Sequence, residues 1–157
     1  GGGLKMSTLF VDTINEKTSG NGVAIPGHVV QVVKTEGSGI IYFGGSYTAY
    51  TDLMTANITP KFNNSLIVVQ MFQTLNTASG YWSMRIIRDG TQVISNSEGA
   101  VATGRMQSVA LKTDTPNTTS QVTYKLQGIA GGGGTDSNLY TVNNPTGSGI
   151  ILMEIAQ

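Results

Sequence analysis

The chain has 157 residues, of which 11% are charged, and its nine basic and nine acidic side chains cancel to a formal net charge of zero. That balance withholds the long-range attraction by which proteins hold a phosphate backbone, so nucleic acid is not an expected partner. The lack of cysteine excludes disulfides, thiolate nucleophiles and thiolate metal sites, and no apolar run approaches the about 20 residues of a membrane-spanning helix.

From the N-terminus, residues 1–5 (Gly1-Gly-Gly-Leu-Lys5), ahead of Met6, are expected to be an expression scar outside the fold, and no signal peptide is expected. Residues 6–27 carry two short apolar patches around Thr18-Ser-Gly-Asn-Gly22, too few to make a core. Such a stretch is stable when packed on copies of itself or on the main domain. It is expected to be a neck or stalk segment, with Pro26-Gly27 as the joint to a head domain over 28–157.

In the head, Thr, Ser, Asn and Gly interrupt every stretch at intervals shorter than an ordinary helix of about 11 residues. The period that does appear is two. Val122, Tyr124 and Leu126 alternate with Thr123 and Lys125, the pattern of a half-buried strand. Further strands are expected at Val29–Lys34, Ile40–Phe43, Leu66–Leu75, Tyr81–Arg88, Gln92–Ser95, Met106–Leu111, Leu139–Val142 and Ile150–Ile155. Short strands with polar turns between them predict an all-β, jelly-roll-like antiparallel sandwich. Within Arg85-Ile-Ile-Arg-Asp-Gly-Thr-Gln-Val-Ile94, the Asp89-Gly90 pair favours the positive φ angles of a type I′ turn and predicts a hairpin.

Leu66-Ile-Val-Val-Gln-Met-Phe72 and Gly149-Ile-Ile-Leu-Met-Glu-Ile155 are apolar on consecutive positions, so both faces of those strands ask for cover. One face can enter the sandwich. The other needs a second chain or a long loop.

No residue pattern assembles a catalytic site, and neither a cofactor nor a metal is expected. His28 is the single histidine, with no Gly-x-Ser-x-Gly elbow in the chain, and is expected at the joint as a hydrogen-bonded side chain; near a symmetry axis, copies of it could hold an ion. The carboxylates are scattered without the pairing glycoside hydrolysis needs; among them Asp89 belongs to its turn, and Asp52 and Asp136 are expected to be solvated. Gly131-Gly-Gly-Gly-Thr-Asp-Ser-Asn138 lacks the Gly-Lys-Ser/Thr ending of a phosphate loop. It is instead a flexible loop whose Thr135, Asp136, Ser137 and Asn138 are candidates for receptor contact. Tyr47 and Tyr81 are the aromatic candidates beside hydroxyl-rich stretches. Trp82 shares its parity with Met84 and Ile86 and is expected in the core, which turns Tyr81, Ser83 and Arg85 to the other face.

The phrase Ser7-Thr-Leu-Phe-Val-Asp-Thr-Ile-Asn-Glu-Lys-Thr-Ser-Gly-Asn-Gly-Val-Ala-Ile-Pro-Gly-His-Val-Val-Gln-Val32 resembles one that recurs in tail-fibre-like proteins of marine bacteriophages, cyanophages included. The ending Ile150-Ile-Leu-Met-Glu-Ile-Ala-Gln157 is similar to theirs, as are Tyr50-Thr-Asp-Leu, Ile58-Thr-Pro-Lys and Asn64-Ser-Leu-Ile-Val. The resemblance implies the distal part of a homotrimeric fibre, a neck followed by a head. It would sit on the virion among other tail proteins and be exposed to the medium. It would touch a bacterial surface glycan or outer-membrane protein without inserting into the membrane. A purely structural virion role, in a head fibre, decoration or baseplate attachment, is the alternative.

Overall fold

The computed structural model describes residues 11, 13–15, 17, 20, 23, 25–37, 39–41, 49–92, 97–131, 140–141 and 148–157. Eight strands follow one another along them: β1 (Val29–Glu36), β2 (Thr51–Ile58), β3 (Leu66–Arg88), β4 (Thr91–Gln92), β5 (Ser97–Asp114), β6 (Val122–Gly131), β7 (Tyr140–Thr141) and β8 (Ser148–Ile155). Every pairing is antiparallel.

β3 organises the fold because it runs through both layers of the sandwich. Its first part, Leu66–Gln73, pairs with β8, and β8 pairs with β1. Its last part, Tyr81–Arg88, pairs with β6, and β6 pairs with β2. β5 accompanies β3 along the other side from Ile67↔Asp114 to Met84↔Ser97. One layer is therefore β1-β8-β3-β5, and the other is β2-β6-β3 with β4 and the start of β5. The inward parity of β3 changes where it crosses: Ile67, Val69, Met71, Gln73 and Leu75 are buried in one layer, Trp82, Met84 and Ile86 in the other. An unbroken strand keeps strict alternation, so the chain must turn about its own axis between Leu75 and Trp82, over a stretch rich in small residues.

The core fills the space between the layers with Met54, Ala56 and Ile58 of β2, Val122, Tyr124 and Leu126 of β6, and Ile150 and Leu152 of β8. Two turns depend on backbone chemistry. Asp89 and Gly90 both take positive φ, 44° and 86°, as the I′ hairpin requires, and the Asp89 carboxylate accepts from the Thr123 amide. At the opposite end of the chain's core path, the wholly buried Glu154 carboxylate accepts from the Lys61 and Phe62 amides, the Ser65 hydroxyl and the Gln31 side-chain amide. That carboxylate fastens the 59–65 connection to β8.

Several of the observed strands differ from the expected ones, among them β5, which is longer than Met106–Leu111 at both ends. Leu66–Leu75 and Tyr81–Arg88 are one strand, because pairing with β5 carries the ladder through Thr77-Ala-Ser-Gly80. β2 was not expected from its residues at all. Ile40 and Ile41 lie in no strand, and Tyr42 and Phe43 fall outside the described residues. Of Gln92–Ser95 and Leu139–Val142, only Gln92 and Tyr140–Thr141 are described as strand, the rest again falling outside.

Candidate functional site

The outward side of the β2-β6-β3 layer carries a continuous line of polar groups. Asp52, Gln127 and Arg85 face one another in register across three strands. The Gln127 side-chain nitrogen donates to Asp52 at 2.6 Å, and Arg85 Nε donates to the Gln127 side-chain oxygen at 2.9 Å, so both ends of that amide are fixed. Lys125 Nζ lies 2.7 Å from the other Asp52 oxygen. This hydrogen bond, then that from Gln127, holds the Asp52 carboxyl below its ordinary value of 3.8. Asp52 was expected to be merely solvated; it is instead an anchor of the line.

Beyond Arg85 the line continues to an aromatic ring. The guanidinium stands 3.8 Å from the centroid of Tyr50, a cation–π contact, and the Tyr50 hydroxyl shares a 3.1 Å hydrogen bond with the buried Ser83 hydroxyl. Tyr81 is on the same face of β3, two residues from Ser83. Its register partners are Gly131 and Ala100, and it is 58% exposed. Arg85 lies four residues, about 13 Å, along β3 from Tyr81, with the buried Ser83–Ile129 row between them. Several linked sugar rings rather than one are therefore needed to reach both the open aromatic face and the carboxylate, amide and guanidinium groups.

An open cleft of about 260 Å³ borders this line, lined by Thr35, Glu36, Ile41, Asp52, Leu53, Met54 and Thr55. Its volume falls below the range of drug-sized pockets, which begins at about 300 Å³. Glu36 is paired with Lys34, so the cleft offers neutralised carboxylates and hydroxyls.

The structure brings Tyr81 to the stem of one predicted loop. Tyr81 pairs with Gly131, the last described residue before 132–139, and Asn76 pairs with Tyr140 just after it. Thr135, Asp136, Ser137, Asn138 and Tyr47 lie outside the described residues. Gly37, bonded to the Ser148 carbonyl, and Tyr50 belong to the same end of the sandwich as those stems. His28 is exposed at the joint, where its backbone bonds Ile25 and Ala156. No group of three or more His, Cys, Asp or Glu suited to a metal occurs among the described residues.

Sequence reasoning missed the Asp52–Gln127–Arg85 line. Alternation placed Lys125 and Gln127 outward and the parity opposite to Trp82 placed Arg85 outward, but their meeting with Asp52 depends on the β2–β6 register, which no local pattern encodes.

The opposite layer presents a different surface. On the outward side of β1-β8-β3-β5, Val32, Met153 and Val68 share one row, and Ile151 and Leu111 the next. Phe72 and Val109 share a third row, with the Phe72 ring lying over Gly149. Val32 is 59% exposed, and Val109 and Leu111 are each 63% exposed.

No family model matches the sequence, and no curated protein is similar enough to it to count as a relative. Among solved structures, the chain is similar to one in the structure of the infectious bursal disease virus Gx strain. That match has a TM-score of 0.52 and 17% identity, over 80% of this chain and 32% of that one. It is also similar to a chain of the infectious bursal disease virus VP2 subviral particle, with a TM-score of 0.50 and 19% identity over the same shares. The chain thus spans about a third of the length of these neighbours. The likeness shows the fold, an all-β jelly-roll-like antiparallel sandwich.

Proposed function

We propose that the chain is a structural virion protein without catalytic activity, the distal domain of a bacteriophage tail fibre that adsorbs to a host cell by gripping surface glycan. A particle-protein role is supported by the fold shared with virus particles and by a surface of hydroxyls and amides with few charges. The tail-fibre assignment draws on the sequence resemblance of the opening phrase and the ending. Residues 6–27 serve as the neck and 28–157 as the head. Copies joined as a homotrimer would multiply weak single-site affinities.

The observation that carries the adhesive reading is the exposed Tyr81 ring at the stem of the 132–139 segment, on the same face of β3 as the fixed Arg85–Gln127–Asp52 line and about 13 Å along the strand from it. Sugar rings stack on such a face while their hydroxyls take the polar groups. A second reading, a purely structural virion component making protein contacts only, is favoured by the apolar outer face of the other layer. Titration of the recombinant protein with lipopolysaccharide from marine and cyanobacterial hosts separates the two. Saturable binding by the wild-type chain supports adhesion; no binding to any lipopolysaccharide or to the intact cells supports the structural role.

A further inference from the structure

We infer that the outer face of the β1-β8-β3-β5 layer is the surface by which copies of this chain associate. The three rows Val32–Met153–Val68–Thr113, Lys34–Ile151–Gln70–Leu111 and Glu36–Gly149–Phe72–Val109 cross all four strands in register. Ile155 and Leu66 extend the patch at one end. Four strands spaced about 4.8 Å apart, over about six residue steps of 3.3 Å, give a flat footprint of about 400 Å². That is half of the about 800 Å² that a standard interface buries on each partner, the remainder falling to the side chains around it. Gln107 and Thr113 on β5 and Lys34 on β1 stand at the rim of the patch, and Gln70 is the polar side chain inside it.

Three observations point to a second copy as the occupant. The charged side chains in those rows are Lys34 and Glu36 alone, and they neutralise each other, so two such faces meet without repulsion. The chain as a whole carries no net charge to keep copies apart. The N-terminal segment also leaves from the edge of this face: Gly27 donates to the Ala156 carbonyl beside Val29 and Ile155, and Val11, Ile14 and Ile25 along that segment are exposed apolar side chains. Copies docked by this face would bring those segments together and give their apolar residues partners too.

This inference rests on the association of copies in the proposed function and names its surface; it stands apart from glycan binding, since copies can associate whether or not a receptor is gripped. Its test is the native mass by light scattering, down to submicromolar concentration, for the wild type and for L111E and V109E. Both sites are exposed and outward-facing, so the folded monomer tolerates the charge. A wild-type mass that is a multiple of the 16.5 kDa chain, falling to one chain in both variants with circular dichroism unchanged, is expected. A wild type at one chain, or variants that keep its mass, would overturn the inference. Because the chain has no cysteine, L111C also reports directly: its thiol should react with a maleimide about tenfold more slowly than the thiol of T55C on the opposite layer. Equal rates would contradict the proposal, and a slow L111C thiol in a particle of one chain would overturn it in favour of cover by the chain's own residues.

Discussion

A methyl group added at Gly99 would stand 2.7 Å from the Trp82 ring, which lies across β5 at that point. The ring is wedged in the core and cannot retreat, so Gly99→Ala is expected to destabilise the fold by about 1–3 kcal/mol, read as a lower urea midpoint with an unchanged slope. An unchanged midpoint would mean that the ring has room to move. Glu154 tests a different contact. Glu154→Gln keeps the shape but sets an amide nitrogen against either the Gln31 amide or the Lys61 and Phe62 donors, at an expected cost of about 1–3 kcal/mol by the same measurement. Burial of Trp82 was legible from its shared parity with Met84 and Ile86. The need for glycine at 99 was not, because the contact crosses from one strand to its neighbour and leaves no mark on either sequence. Glu154 was equally hidden: in an apolar strand a carboxylate reads as outward, and its buried partners come from a connection some 90 residues earlier.

At the scale of elements, hairpin and ladder make separate predictions. Nothing stands within 4 Å of a Cβ built on Gly90, so Gly90→Ala tests backbone strain alone; at a φ of 86° it should cost about 1–2 kcal/mol in thermal or urea unfolding. The β3, β5 and β6 strands are further tied by Asp114, which accepts from Arg88 at 2.6 Å and from the Tyr124 hydroxyl at 2.7 Å. Burial, and then the Asp114 hydrogen bond, push the Tyr124 hydroxyl far above its ordinary value of 10.0. The folded chain therefore keeps a proton that the unfolded chain releases, so stability present in full below pH 10.0 falls as pH rises beyond it. Tyr124→Phe should flatten that alkaline slope while costing about 1 kcal/mol at neutral pH for the lost hydrogen bond; an unaltered slope would assign it to other groups. Strong alternation made β6 legible, and Asp-Gly made the hairpin legible. β2 escaped because Asp52, Ala56 and Asn57 are poor strand formers and a bulge at Leu53 turns two consecutive apolar residues inward, which breaks the period. The unity of β3 escaped because Thr77-Ala-Ser-Gly80 has the composition of a turn, and only its ladder with β5 keeps it extended.

The whole molecule sets a polar, aromatic face on one layer against an apolar face on the other. The class of the fold was legible from many short runs of period two, and the apolar face from two strands that are hydrophobic on successive positions. The polar line was legible only as separate outward residues, since register between distant strands decides which of them meet. On the proposed function recognition belongs to the Tyr81 side, and on the further inference association belongs to the Leu111 side, so a change to one should leave the other intact. The most direct test is the binding of fluorescent protein to marine and cyanobacterial cells, comparing the wild type with Tyr81→Ala at the same native mass. The account predicts saturable wild-type binding, with an affinity lower by about tenfold or more once the ring is removed. Wild-type binding that Tyr81→Ala leaves untouched, or no binding to any host tested, would contradict it.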